Sequence, residues 1–226
     1  MTAIILLSGG LDSTVVLAHA LAQDKRCTTL AFDYGQRCRF ELEAAYNIAH
    51  HYQVPIKTIA IDSSAFSQTA LLPHSCAVPK DRSEQDLLST TPPPTYVPAR
   101  NTIFLSYAMG EAETSHAAEI HIGAMAGDYA YPDCQKAYFA VWQQLLNVAV
   151  PNYPIALHTP LIDLTKEEIL RLGERYDVPW HLTMSCYDPI DKTLHCGHCD
   201  SCIYRRKGFQ QAQIEDTAPY TELVLS

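Results

Sequence analysis

Short apolar runs alternate along most of this chain with longer stretches whose apolar residues recur at helical spacing. Ala3-Ile4-Ile5-Leu6-Leu7 is branched and free of charge, the pattern of a strand buried on both faces. The next stretch places Val15, Val16, Leu17, Ala20 and Leu21 on one helix, which Asp12-Ser13-Thr14 can cap. Thr28–Asp33 reads as a second strand, about 39–52 as a helix, and Ile56–Ile61 as a third strand. Further on come a helix near 102–112, a strand over 119–123, a helix near 137–148 and a short strand around 155–158. Thr165-Lys166-Glu167-Glu168 then opens another helix, with Thr165 as cap and acids in its first turn.

This alternation predicts an α/β fold, a Rossmann-like parallel sheet with helices on both faces. Such sheets bind ligands beyond the carboxyl ends of their strands. Ser8, Asp33-Tyr34-Gly35-Gln36, Gly123 and Thr159-Pro160 all fall there. Residues 62–98 break the rhythm with a Pro-rich stretch that includes Pro92-Pro93-Pro94. An insertion of that length is a lid, a dimer contact or a disordered loop. The expectation is one domain over 1–226, with this insertion and a C-terminal metal-binding subregion at 184–211.

The segment between the first strand and helix, Ser8-Gly9-Gly10-Leu11-Asp12-Ser13, has the makings of a phosphate cradle. Glycines let an anion approach the backbone, and the helix N-terminus offers N–H groups and a positive dipole end. The chain has neither GxxxxGK[ST] nor GxGxxG, so a P-loop and a dinucleotide fingerprint are both excluded. The plainer alternative is a corner whose glycines only make the bend.

Composition narrows the field. An apolar share of 47% over 226 residues allows a sizeable core. A net charge of −9 opposes general affinity for nucleic-acid backbones, so no direct nucleic-acid partner is expected. No apolar stretch is long enough to span a bilayer, and the first residues lack the charged region of a signal peptide; a cytoplasmic, membrane-free protein is expected. Four of the eight cysteines are scattered, whereas Cys186, Cys196, Cys199 and Cys202 cluster as C-x9-C-x2-C-x2-C. In a reducing compartment that spacing favours metal ligation. Four thiolates suit a structural Zn²⁺, with a [4Fe–4S] cluster as the competitor, and Gly197 fits the tight turn between Cys196 and Cys199.

Other polar residues leave alternatives open. Arg100 can clamp an oxyanion or stand solvated beside Asn101 as a helix cap. Asp128 and Asp133 flank Tyr131-Pro132 and can bind a metal ion or a ligand amine, or cap the helix that follows. Lys166 is either a surface residue or reaches phosphates. No serine elbow is present.

The pattern SGGxDS resembles the pyrophosphate loop of the N-type ATP pyrophosphatases, the adenine nucleotide alpha hydrolase-like fold. With Leu7–Val16, Phe32–Gln36, Tyr96–Leu105, Tyr131–Cys134, Thr159–Leu161 with Lys166, and Ser185–Cys202, the resemblance narrows to the 7-cyano-7-deazaguanine synthases of queuosine biosynthesis. It implies an ATP-dependent carbon–nitrogen ligase acting on 7-carboxy-7-deazaguanine and ammonia through adenylated intermediates. By the same resemblance, Leu7, Ser8, Gly9, Gly10, Leu11, Asp12, Ser13, Thr14, Val15 and Val16 bind ATP. Ser8, Asp12, Ser13 and Lys166 carry catalysis, and Arg100, Asn101, Asp128 and Asp133 grip the substrate. ATP and Mg²⁺ are then required, and one structural Zn²⁺ sits on the four clustered cysteines. A homodimer is expected, and ammonia is expected free or from another protein, since the chain leaves no room for a glutaminase. The rivals are a tRNA thiolase of the same superfamily and a non-enzymatic ATP-binding sensor.

Overall fold

The computed structural model describes residues 1–66, 69–73, 75–87, 91–126, 131–190 and 194–221. In chain order the elements are β1 (Thr2–Leu6), α1 (Leu11–Leu21), β2 (Arg26–Asp33), α2 (Phe40–His51), β3 (Ile56–Ala60) and the short α3 (Glu84–Leu87). They continue with α4 (Arg100–Ser115), β4 (Glu119–His121), α5 (Lys136–Ala149), β5 (Ala156–His158), α6 (Lys166–Glu174) and α7 (Asp200–Ala212). The five strands form one sheet in the order β3-β2-β1-β4-β5, every pairing parallel. This is the predicted doubly wound sheet, and β1 lies at its centre, where the strand order reverses.

Side-chain alternation along β1 divides the core into two layers. Ala3, Ile5 and the following Leu7 pack with Val15 of α1, Ile48 of α2, Ile169 of α6 and Phe209 of α7. Ile4 and Leu6 point the other way, to Leu105 and Ala108 of α4 and Phe139, Trp142 and Leu146 of α5. A central strand buried on both faces has no polar side to show, which is why its sequence is an unbroken apolar run.

Three local features depart from expectation. Asp12-Ser13-Thr14 does not cap α1: the helix starts at Leu11, Gly10 holds the cap position, and no side chain caps it. Asn101 is not a cap either. Ala99 precedes α4 with φ +55°, and the capping acceptor comes from the later Asp133, whose Oδ2 takes the Asn101 N–H at 3.1 Å. Finally, α7 follows directly on the cysteine segment, where metal-ligand spacing masks any helical period. By contrast Thr165 and Glu168 form the capping box that the sequence predicts for α6.

The described part of the 62–98 insertion is tied down along its length. Phe66, Leu71, Leu72 and Val97 enter the α4–α5 layer of the core. The Arg37 guanidinium donates to the carbonyls of Ala70, Leu72 and Cys76. Further along, Arg82 pairs with Asp200 at 2.8 Å and the Asp81 N–H donates to the His198 carbonyl, so the insertion rests on the cysteine segment.

Candidate active site

The phosphate-loop candidate lies at the carboxyl end of β1, folded around its own hydroxyls. Ser13 Oγ accepts from the Ser8 N–H at 3.1 Å, lies 3.0 Å from Ser8 Oγ and donates to the Gly10 carbonyl, as does Thr14 Oγ1. The two glycines do different jobs. Gly9 has φ +85°, and a Cβ there would lie 2.1 Å from the Glu41 carbonyl oxygen and 2.8 Å from the Ala45 nitrogen. Gly9 is therefore required by the close approach of α2. Gly10 has φ −86° and faces the cavity with Ser8, Asp12 and Ser13. Because α1 has no side-chain cap, its first-turn N–H groups are left for a ligand.

Gly123, beyond β4, closes the other side: a Cβ on it would meet the Ser13 nitrogen at 2.9 Å. Lys166 reaches in from α6, its Nζ 2.8 and 3.0 Å from the Asp12 carboxylate oxygens and 3.1 Å from Met125 Sδ. Its methylene stem passes over Gly208 of α7, where a Cβ would lie 2.4 Å from Lys166 Cγ. Lys166 is thus a largely covered cation aimed at the loop, its side chain 13% exposed, and the surface alternative falls away.

One cavity runs from this loop over the ends of β1, β2 and β4. Its far half is walled by Phe32 and Phe104, stacked with centroids 4.0 Å apart, and by Tyr34, Glu41, Arg100, Asn101, Tyr131, Cys134 and Tyr187. Arg100 is surrounded by Tyr34, Tyr131, Cys134 and Asp133; burial alone would lower its pKa, but these neighbours raise it, and it stays a cation. Burial pushes the Cys134 thiol up to about 11, so it is no nucleophile at neutral pH. Asp133 is 6% exposed and outside the cavity wall, where it caps α4 and its carbonyl accepts from Asn101 Nδ2 at 2.8 Å. Asp133 therefore holds Arg100 and Asn101 in place from behind. Asp128 lies outside the described residues. Thr159-Pro160 is likewise absent from the described wall.

Cys186, Cys196, Cys199 and Cys202 are buried and bring all four Sγ atoms within 4.8 Å of one another. Cys196 Sγ and Cys202 Sγ lie 4.0 Å apart, close to the ~3.8 Å edge of a tetrahedron with ~2.3 Å metal–sulfur bonds. Gly197 has φ +78°, which folds the turn so that the N–H groups of His198 and Cys199 both donate to Cys196 Sγ at 3.4 Å. Hydrogen bonds among the sulfurs hold Cys196 well below the ordinary thiol range. The set fits a single metal ion. A cubane would hold the sulfurs farther apart, since an iron corner stands between each thiolate and its core. His195 and His198 point elsewhere, to the Ser185 N–H and to Asp81.

The comparisons with known proteins extend over nearly the whole chain. The family model described as "Queuosine biosynthesis protein QueC" matches residues 2–213. The chain belongs to the QueC family. It is 47% identical to the 7-cyano-7-deazaguanine synthase of Saccharophagus degradans, over 96% of this chain and 97% of that one. The synthase of the same name from Anaeromyxobacter dehalogenans is 43% identical over 97% and 96%. Among solved structures, the predicted subunit of a tRNA methyltransferase from Methanocaldococcus jannaschii covers 77% of this chain and 74% of its own. It does so at 16% identity with a TM-score of 0.50, a likeness of fold alone.

Sequence reasoning about this QueC-family chain missed two groups. The first is Glu41, which lines the cavity together with the Gln36 that the sequence already placed there. The second is a polar cluster under α1, where Glu119, His121 and His158 bring possible ligand atoms within 4.8 Å of one another. Lys25 already supplies the cation there, with Nζ 2.7 and 2.5 Å from the two Glu119 oxygens. His121 Nε2 lies 2.7 Å from Glu119 and its ring stacks on His158 at 4.6 Å. A second cation would have to displace the largely covered Lys25 ammonium, so the cluster reads as a structural ion pair.

Proposed function

We propose that this chain makes 7-cyano-7-deazaguanine from 7-carboxy-7-deazaguanine and ammonia, using two molecules of ATP. The observation that carries the reading is full-length identity to proteins of that name, together with a cavity that joins a phosphate-sized cradle to an aromatic, charged half. The acceptor carboxylate attacks the α-phosphorus of ATP, forming an acyl-adenylate and expelling pyrophosphate. Ammonia adds at the acyl carbon and AMP leaves, giving the amide. The amide oxygen then attacks a second ATP, and loss of AMP and two N–H protons gives the nitrile.

The leaving pyrophosphate gathers negative charge, and positioned N–H donors stabilise it most because they need no reorganisation. Ser8, Gly10, Ser13 and the open end of α1 take that part, with Lys166 on the phosphates. Mg²⁺ bound with the nucleotide would screen the triphosphate, and Asp12 is the carboxylate that would hold it, exchanging its contact with Lys166. Arg100 and Asn101 face the acceptor.

Zinc is the ion we infer for the four cysteines: the site is closed, all-sulfur and tetrahedral in size, with no position left for a substrate. A homodimer in the cytoplasm completes the reading. The dimer is supported by Val141, Leu145 and Val148, an apolar stripe on α5 that is 64%, 45% and 78% exposed. No helix among the described residues is long and apolar enough to cross a membrane.

The test is incubation with ATP, Mg²⁺, ammonium and 7-carboxy-7-deazaguanine, followed by mass analysis of the product. The nitrile is expected, with two pyrophosphates released per turnover. ATP binding without pyrophosphate release would instead identify a sensor.

A further inference from the structure

The far half of the cavity holds a carboxylate that the phosphate chemistry does not employ. Among the described residues the wall contains two acidic side chains, Asp12, committed to Lys166, and Glu41 in the first turn of α2. Glu41 and Arg100 come from helices on opposite faces of the sheet and feel each other's charge, yet no ion pair joins them. The backbone of Glu41 is fixed, because its carbonyl packs where a Gly9 side chain would otherwise sit. Gln36, the other polar neighbour, braces its own turn, its Oε1 accepting from the Tyr34 N–H at 2.9 Å and its Nε2 donating to the Phe32 carbonyl at 3.0 Å, and its amide also hydrogen-bonds the Glu41 carboxylate. Glu41 therefore offers a carboxylate to the same cavity that the stacked Phe32 and Phe104 line, where a flat ring can lie.

We propose that Glu41 reads the pyrimidine edge of the purine-like acceptor, its two oxygens accepting from the ring N1–H and the exocyclic 2-amino group. The inference rests on the synthase reading above. A guanine-type edge offers two adjacent donors, which match a carboxylate. Adenine offers a donor beside an acceptor, so an ionised Glu41 turns a lone pair against adenine N1 and keeps the base of ATP out of this half. Burial raises the Glu41 pKa to about 7, against the pull of Arg100 and the Gln36 amide. Two donated hydrogen bonds favour the charged form, so a ligand carrying both donors is the one this group is built to hold.

The test compares 7-carboxy-7-deazaguanine with its analogue lacking the 2-amino group, at saturating ATP and ammonium, for the wild type and Glu41→Gln. The wild type should lose about 10- to 100-fold in kcat/KM on the analogue, the range of one bidentate contact. Glu41→Gln turns an amide N–H against a donor, so its KM for the 2-amino acceptor should rise by a similar factor while its KM for ATP stays put. Its preference for the 2-amino group should nearly vanish, and Glu41→Asp, still a carboxylate, should retain part of it. An unchanged acceptor KM, a raised ATP KM or a persisting 2-amino preference in Glu41→Gln would each overturn the proposal. If that variant does not fold, equal kcat/KM for the two acceptors in the wild type overturns it alone. No nitrile from the wild type would instead overturn the synthase reading.

Discussion

Removing either partner of the Lys25–Glu119 pair should destabilise the protein more than removing both. Lys25 and Glu119 are 14% and 9% exposed in their side chains, and Nζ stands 2.7 and 2.5 Å from the two oxygens. At ~2.7 Å and an effective dielectric of about 20, their attraction is on the order of 6 kcal/mol. Desolvating the two ions offsets most of that, at several kcal/mol each. The net value of the pair is small, but Lys25→Met or Glu119→Gln strands a buried charge and costs about 3–5 kcal/mol. For a chain of 226 residues that lowers Tm by roughly 6–20 °C. The double variant Lys25→Met/Glu119→Gln should recover a large part of the loss. Urea unfolding of all four proteins at neutral pH measures the cycle. Single variants each within 1 kcal/mol of wild type, adding up to the double, would refute a desolvated pair.

His121 gives the protein an acid limb of its own. Burial, helped by the charge of His158, lowers its pKa from 6.5 to about 4 against the hydrogen bond to Glu119. The unfolded chain therefore takes up a proton near pH 6.5 that the folded chain refuses. Stability should fall by up to about 1.4 kcal/mol per pH unit between those values and not respond through this group above them. Burial would raise the Glu119 pKa, but bonds from Lys25 and His121 hold it low, so its contribution is lost only below about 4.5. Urea midpoints at pH 5 and 7 should converge in His121→Gln, and an unchanged slope would exclude His121 as the source. Gly9→Ala combines a left-handed φ with a 2.1 Å contact and should cost about 2–5 kcal/mol. Gly10→Ala, whose Cβ would lie no nearer than 3.4 Å to Ser8 Oγ, should fold normally and lose ATP affinity; equal stability of the two variants counts against the division of labour. Lys166→Met keeps the stem over Gly208, so pyrophosphate release should drop at least 100-fold with little change in Tm, and unchanged release would remove Lys166 from the reaction.

The sheet was legible because the central strands β1 and β2 carry apolar runs and strand-like segments alternate with helical ones, and the loop and the cysteines because their chemistry lies within a few residues. What stayed hidden depends on groups meeting from distant segments. Asp133 looks like a ligand in sequence and proves to be the cap of a helix that starts at Arg100, before it in the chain. Arg205 sits in the basic run Arg205-Arg206-Lys207 yet is 1% exposed, held by Asp216, Thr183 and the Trp180 carbonyl. Glu41 reads as an ordinary first-turn acid of a helix, and its only early signal is Gly9, whose missing side chain lets that turn approach the loop. Local pattern encodes elements. Contacts between elements are encoded only in what each position cannot tolerate.

The Met184 N–H donates to the Gly9 carbonyl at 2.9 Å, two residues before the first clustered cysteine. Part of the phosphate loop's backbone is thus anchored by the segment that leads into the four cysteines proposed to hold a metal ion. Two sites that share such an anchor obey reciprocity: whatever the ion contributes to nucleotide affinity, the nucleotide returns to ion retention. ATP should then slow loss of the ion to a chelator, and a depleted protein should weaken toward ATP before it unfolds. An ion on the four cysteines would then act at a distance from the chemistry, as one half of a thermodynamic couple.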